Sequence, residues 1–326
     1  RPRPRAAVRR AILRRVLTVV AVFGPTGVGK TAVAIALAER LRAEGEDPVA
    51  VSADALQVYE GLEILTGAAS AHDRERLEHR LLGVIPVDRS FSAGEFARLA
   101  HREIDELLAA GRRPIVVGGT GLYLRAALAD LDLRPPVPAA IRARRRRQLE
   151  QRGAPALHAE LAAKAPQAAA AIEPTDAQRV TRALELLDAG HEPPAGPQLW
   201  TRDTRHPTLL AGLVMDREKL GATIDERVRQ MVAAGAGDEV ARADRAGASP
   251  TARKALGFQE LLDGDIEGMQ RNTRRYAKRQ LTWMRKLPDV HLIDTTDRTP
   301  HDVAAELHAI IRACDSRSGR RSATTT

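Results

Sequence analysis

The chain has 326 residues, 44% hydrophobic and 29% charged, enough for two domains or for one domain with a large insertion. No apolar run approaches the ~18 residues that a membrane span needs, and the one cysteine, Cys314, excludes a disulfide framework and a multi-cysteine zinc site and fits a reducing, cytoplasmic setting. The net charge of +9 is focused: residues 1–15 hold seven arginines, 141–152 six, and 271–286 seven Lys/Arg, against a single Glu, so the rest is net acidic and the cations are placed for a polyanion.

Residues 1–15, "RPRPRAAVRRAILRR", read as an unstructured basic extension rather than a transit peptide. The β-branched run 16–23 suits a buried parallel strand. After the loop "GPTGVGKT" a helix is expected over 31–43, then a second strand over 49–53 with Asp54 at its tip. "SAGE" at 92–95 is a capping box that opens a helix to Ala110, stopped by Gly111. Residues 114–119 form the next buried strand. From 131 to 205 no strand signal appears; helical segments at 139–152, 156–164 and 176–189 read as a helical insertion domain. Residues 208–215 are again a strand, 217–286 are helical with a first stop at Gly235, and 290–294 is a last strand before a final helix to about Arg312. Residues 314–326 read as an unstructured tail. Strands alternating with helices predict an α/β fold, a parallel sheet covered on both faces, built from 16–130 and 206–313.

Gly24, Gly29, Lys30 and Thr31 satisfy G-x-x-x-x-G-K-[ST] between a strand and a helix. The loop of Gly24, Pro25, Thr26, Gly27, Val28, Gly29, Lys30 and Thr31 is therefore a candidate cradle for a diphosphate or nucleotide. Its backbone N–H groups and the helix N-terminus supply positive potential. Lys30 neutralises a terminal phosphate, and the Thr31 hydroxyl is placed to meet Mg²⁺. Such a cradle does not name a reaction: kinases and hydrolases share it, and a diphosphate can equally be a leaving group. In a parallel sheet the C-terminal strand ends converge on one crevice, so the loop, Asp54 and Gly118-Gly119-Thr120 are expected to face each other.

"GPTGVGKT", "SADALQVYEGLEILT", "PIVVGGTGLYLRAAL", "DAQRVTRALELLDAG", "DREKLGATIDERVRQMVAAGAGDEV" and "TRRYAKRQLTWMRK" occur in the order and at about the spacing of the bacterial tRNA dimethylallyltransferases, or tRNA isopentenyltransferases. The chain resembles that family from residue 16 to 311. The resemblance implies a P-loop-kinase-like core with a helical insertion and Mg²⁺ as cofactor. It also implies transfer of the dimethylallyl group of dimethylallyl diphosphate to N6 of the adenosine 3′-adjacent to the anticodon, position 37. It makes Asp54 the catalytic carboxylate, Thr120 a hydroxyl near diphosphate and base, and Arg217 a diphosphate grip beside Lys30. For the tRNA anticodon loop it implies contacts from Asp54, Ala55, Leu56, Gln57 and Thr120, from Arg142, and from Gln178, Arg179, Val180, Thr181 and Arg182. The run Arg144–Arg147 is expected to meet phosphates, and Tyr276 and Trp283 to pack against the core.

Two departures stand out. Ala55 replaces the family's usual Ser, removing a hydroxyl, and Leu65-Thr66-Gly67-Ala68 replaces Gly-Thr-Ala-Lys, removing a cation. A P-loop small-molecule kinase and a degenerate RNA-binding paralogue are the competing readings. The kinase gives the arginine blocks no role, and a binding protein would not require Lys30, Thr31 and Asp54 together. A monomer is expected, since RNA supplies the large partner surface.

Overall fold

Five consecutive apolar residues, Val19–Phe23, form strand β1, and all five are buried. A run without polar alternation requires a sheet covered on both sides. The computed structural model describes residues 17–194 and 199–322, with side chains to 316, and places β1 inside a six-stranded sheet. The order is β3 (His79–Arg80), β2 (Pro48–Ser52), β4 (Arg113–Gly118), β1, β5 (Thr208–Val214), β6 (Val290–Asp294). Every pairing is parallel, with Phe23 beside both Gly118 and Gly212, and Ser52 beside Val117. The tips of β1, β2 and β4 thus end at one level. The chain leaving β1 passes β4 to reach β2, which opens a crevice at those tips.

One face of the sheet is covered by α1 (Lys30–Ala43) and α13 (Pro300–Ser322), through Val20, Val22, Ile35, Leu37 and Leu307. The other face packs Phe23, Val51 and Val116 against Phe96 and Ile104 of α4 (Ala93–Ala109) and Leu124 of α5 (Gly121–Leu128). The capping box expected at 92–95 is present in both directions. At the N-terminal end of β4 the fully buried Arg113 pairs with Glu46 and Asp315 and donates to the Thr18 carbonyl at 2.8 Å, tying α13 to the strands.

Between β4 and β5 lies a separate helical unit. α6 (Ala139–Lys164) breaks at Gly153 into the two pieces expected from sequence, and α7 (Pro166–Ala170) and α8 (Ala177–Asp188) close its own small core of Leu157, Leu161, Val180 and Leu184. After β5 come α9 (Arg217–Ala233), α10 (Ala236–Arg245), a 3₁₀ turn at Ala252–Lys254, α11 (Phe258–Leu262) and α12 (Ile266–Met284). Two short helices, α2 (Glu63–Thr66) and α3 (Ala71–Arg76), follow β2.

The differences from expectation have simple causes. Strand pairing begins at Val19, with 17 and 18 outside it and 16 outside the described residues, because the partner strand starts level with Val19. β3 was not foreseen: two half-buried polar residues carry no periodic signal. α13 continues to Ser322, so 314–322 is helical and not a tail. The expected extension 1–15 lies outside the described residues. Among the described residues no helix is long and apolar enough to cross a membrane.

Candidate active site

The crevice at the strand tips is a cavity of about 470 Å³. The loop after β1, the tip of β2 and the tip of β4 all line it, through Thr26, Gly27, Gly29, Lys30 and Thr31, Asp54 and Gly118-Gly119-Thr120, while Gly24, Pro25 and Val28 of the expected cradle do not. The sequence expectation that these three segments face one another is therefore met.

The loop is held open as a cradle by left-handed backbone at Gly27 (φ 85) and Gly29 (φ 89). Lys30 opens α1 and folds back, its Nζ donating to the carbonyls of Gly24 at 3.0 Å and Pro25 at 2.9 Å. Burial, with help from the Arg227 charge, lowers its pKa to about 8, and Asp54 works against that. Among the described residues no acid is bonded to it, so an incoming anion meets a cation tethered by carbonyl oxygens. The Thr31 hydroxyl also lines the cavity.

Asp54 is half-buried. Its Oδ1 accepts the N–H of Leu56 at 2.9 Å, which fixes the turn, while Oδ2 has no hydrogen-bond partner among the described residues. Turn cap and free oxygen coexist, so the capping alternative and the catalytic one share this side chain. Thr120 sits at the start of α5 but makes no capping bond; its hydroxyl meets Tyr276 Oη at 2.9 Å instead. Burial pushes the Tyr276 phenol up to about 12, with the Asp54 charge adding to it, so Tyr276 keeps its proton.

Two expectations are corrected here. Arg217, the first residue of α9, is exposed beside its N-cap Asp216 and is not among the residues that line the cavity. The cation that α9 gives the cavity is Arg227, further along the helix, which donates to the Gly67 carbonyl at 3.2 Å and has an unpartnered buried Nε. The signal was in the sequence: on a helix Arg227 shares the buried stripe of Leu220, Ile224 and Val228, where a cation has no packing reason to be. Second, Tyr276 is a pocket residue as well as a packing one.

α12 supplies more that the motif reading missed. Gln280, buried, accepts the Thr26 N–H through Oε1 at 2.9 Å and donates through Nε2 to the Gly119 carbonyl at 2.7 Å, clamping the loop to the β4 tip. A Cβ on Gly119 would fall 2.3 Å from that Nε2, so this glycine is fixed by the clamp. Lys254 and Arg279 stand at the cavity, and no carboxylate pairs with either among the described residues. Leu65, Val228, Met231, Leu256 and Met269 give the cavity an apolar part of its lining.

Of the expected RNA contacts, Ala55, Leu56 and Gln57 line the cavity. The others are on the helical insertion. Arg142 is exposed on α6. On α8 Gln178 and Arg179 are exposed, but Val180 is fully buried in the insertion's core and offers no surface to RNA. Thr181 is half-buried, and Arg182 donates to the Pro135 carbonyl at 2.9 Å, bracing the linker. Arg145 is likewise no phosphate ligand: it is buried between Asp188 and Glu160.

For a metal, no cluster of three His, Cys, Asp or Glu exists among the described residues. The one hydroxyl of Thr31 suits a Mg²⁺ that arrives with phosphate oxygens and water, the usual arrangement for that ion.

Three comparisons bear on the chain. The family model described as IPP transferase matches residues 57–287. The tRNA dimethylallyltransferase of Thermobifida fusca is 40% identical over 285 residues, 84% of this chain and 89% of that protein. The solved tRNA isopentenylpyrophosphate transferase of Bacillus halodurans is 33% identical with a TM-score of 0.68, covering 94% of this chain and 99% of that one. A eukaryotic dimethylallyltransferase acting on tRNA gives a TM-score of 0.72 at 25% identity, covering 93% of this chain and 80% of its own.

Proposed function

The chain belongs to the IPP transferase family, the tRNA dimethylallyltransferases, and from that premise we propose how its pocket carries out the transfer to N6 of adenosine 37. The observation that carries the reading is the shared cavity: a phosphate cradle with Lys30 and Arg227, a carboxylate oxygen left free on Asp54, and apolar side chains lining the same space. A kinase would need the first two but gives the apolar lining no substrate group to hold.

The cradle N–H groups, Lys30 and Arg227 take the diphosphate of dimethylallyl diphosphate, and Val228, Met231 and Met269 cover its hydrocarbon end. An exocyclic adenine amine is a weak nucleophile because its lone pair is delocalised into the ring. Asp54 accepts a hydrogen bond from that amine and takes its proton as the new C–N bond forms. The allylic C–O bond breaks at the same centre, and the charge growing on the leaving diphosphate falls on donors that are already in place, usually the largest catalytic contribution. When bound with the diphosphate at Thr31, Mg²⁺ supplies further charge neutralisation. The Thr120–Tyr276 hydroxyl pair lies against the reacting base. To enter, the base leaves its stack, which costs a few kcal/mol and is cheaper from a loop than from a duplex. Arg142, Arg146 and Arg147 on the exposed side of α6 hold the phosphates.

The test is direct. The protein is incubated with dimethylallyl diphosphate, Mg²⁺ and an unmodified tRNA carrying adenosine 3′ of its anticodon, and the digested nucleosides are weighed. We expect dimethylallyladenosine, and for Asp54→Asn a loss of roughly 10²–10⁴-fold with tRNA binding kept. Phosphate transfer from ATP with no prenylated nucleoside overturns the reading. Loss of tRNA binding in Asp54→Asn makes that residue structural.

A further inference from the structure

Glu239, on the first turn of α10, is 3% exposed and takes no part in the chemistry above. A buried carboxylate is costly unless it is hydrogen-bonded. Its partners are main-chain groups: Oε1 accepts the N–H of Ile64 at 2.9 Å and Oε2 that of Leu65 at 2.7 Å. Both belong to the first turn of α2, a helix of four residues whose own N-cap, Leu62, makes no side-chain capping bond. So short a turn cannot hold itself, because helix nucleation is unfavourable without outside contacts.

The turn is a wall of the pocket, lined by Leu65, Thr66 and Gly67. Its last carbonyls seat two pocket side chains. Gln57 Nε2 lies 3.4 and 3.3 Å from the carbonyl oxygens of Thr66 and Gly67, and Arg227 Nη2 donates to the Gly67 carbonyl. The fit is tight. Gly67 is left-handed (φ 59), and a Cβ there would fall 1.7 Å from Arg227 Nη2. Where Arg227 rests is therefore decided by the backbone of a turn that Glu239 pins.

We infer that Glu239 is a positioning residue for the anion site: its carboxylate holds the 63–67 turn in the one conformation that presents the Gly67 carbonyl to Arg227. This rests on the reading of Arg227 as a diphosphate ligand. It gives the departure at 65–68 a consistent purpose, since glycine at 67 is what leaves room for the guanidinium.

Four variants of the full chain test it: Glu239→Gln, Gly67→Ala, Arg227→Ala, and Glu239→Gln with Arg227→Ala. The readouts are KM for dimethylallyl diphosphate, Kd for tRNA, and binding of inorganic diphosphate by calorimetry. Glu239→Gln turns an NH₂ towards a main-chain N–H, and we expect KM to rise on the order of tenfold with Kd for tRNA kept. Gly67→Ala is expected to do the same with Glu239 intact, so the result does not hang on the folding of one variant. In the double variant KM is expected to equal that of Arg227→Ala alone, because the effect of Glu239 runs through the arginine. Additive effects, or an unchanged KM in Glu239→Gln, overturn the inference. Wild-type protein that binds no diphosphate overturns the reading of the pocket instead.

Discussion

Arginine is used in opposite ways in the two halves of this molecule. In the helical insertion Arg145 is bonded to Asp188 through Nε at 2.5 Å and Nη2 at 2.7 Å, and to Glu160 at 2.7 Å, while Arg144 and Arg152 cover the same acids from outside. Its charge is spent on holding α6 to α8. At the strand-tip pocket Arg227 and Lys30 are half-buried, yet among the described residues their side chains bond to carbonyl oxygens, and the Asp54 charge acts on both. A cation matched by acids is part of the fold. A half-buried cation left on carbonyls is costly by itself, and the cost is offset only when an anion arrives.

The largest test of that contrast is Arg145→Ala. Removing one member of a buried ion pair strands the rest, and we expect a loss of about 3 kcal/mol, at the low end for such pairs because Asp188 and Glu160 keep some contact with water. Denaturant unfolding measures it. KM for dimethylallyl diphosphate and the salt dependence of tRNA binding are expected to stay put. Unchanged stability with a flatter salt slope would make Arg145 an RNA ligand after all and dissolve the comparison.

Arg227→Ala is the counterpart. A guanidinium–phosphate contact is worth roughly 10–100-fold in affinity, so KM for the diphosphate substrate rises by about that much. Stability is expected to hold or improve slightly, since a desolvated cation with an unpartnered Nε is removed. Arg217→Ala sharpens the point, with KM within about twofold of wild type. If Arg217→Ala gives the larger change, the exposed turn at the start of α9 and not the pocket stripe carries the grip.

This pairing also shows what was legible in the sequence. Strands, the capping box at 92–95 and the cradle could be read because each depends on neighbours along the chain. Asp54 and Thr120 could be placed because parallel strands must end together. Gln280 could not, and Arg227 and Val180 were missed. Whether Gln280 clamps a loop or faces water is decided by a partner 254 positions away at Thr26, and motif matching treats a whole segment as site. That is why Val180 was grouped with its exposed neighbours Gln178 and Arg179, and why Arg145 was taken for a member of a solvent-facing run. The buried stripe of α9 was the one overlooked local clue.

The smallest expected effect concerns proton count, and it separates the two uses of charge without any substitution. Lys30 in the folded protein has its pKa lowered to about 8, chiefly by burial. Diphosphate binding favours the protonated form, so kcat/KM should be level below about pH 8 and fall by up to about tenfold per pH unit above it. The sign for stability is the reverse. A lysine whose folded pKa lies below its unfolded value of 10.5 destabilises the fold while charged, and that penalty is relieved as pH rises from about 8 through 10.5. Substrate capture and stability should therefore move in opposite directions over one pH window. A kcat/KM profile that stays level to pH 10 would mean that Lys30 carries its proton irrespective of ligand, as an acid-matched cation does, and would place the pocket in the same class as the insertion.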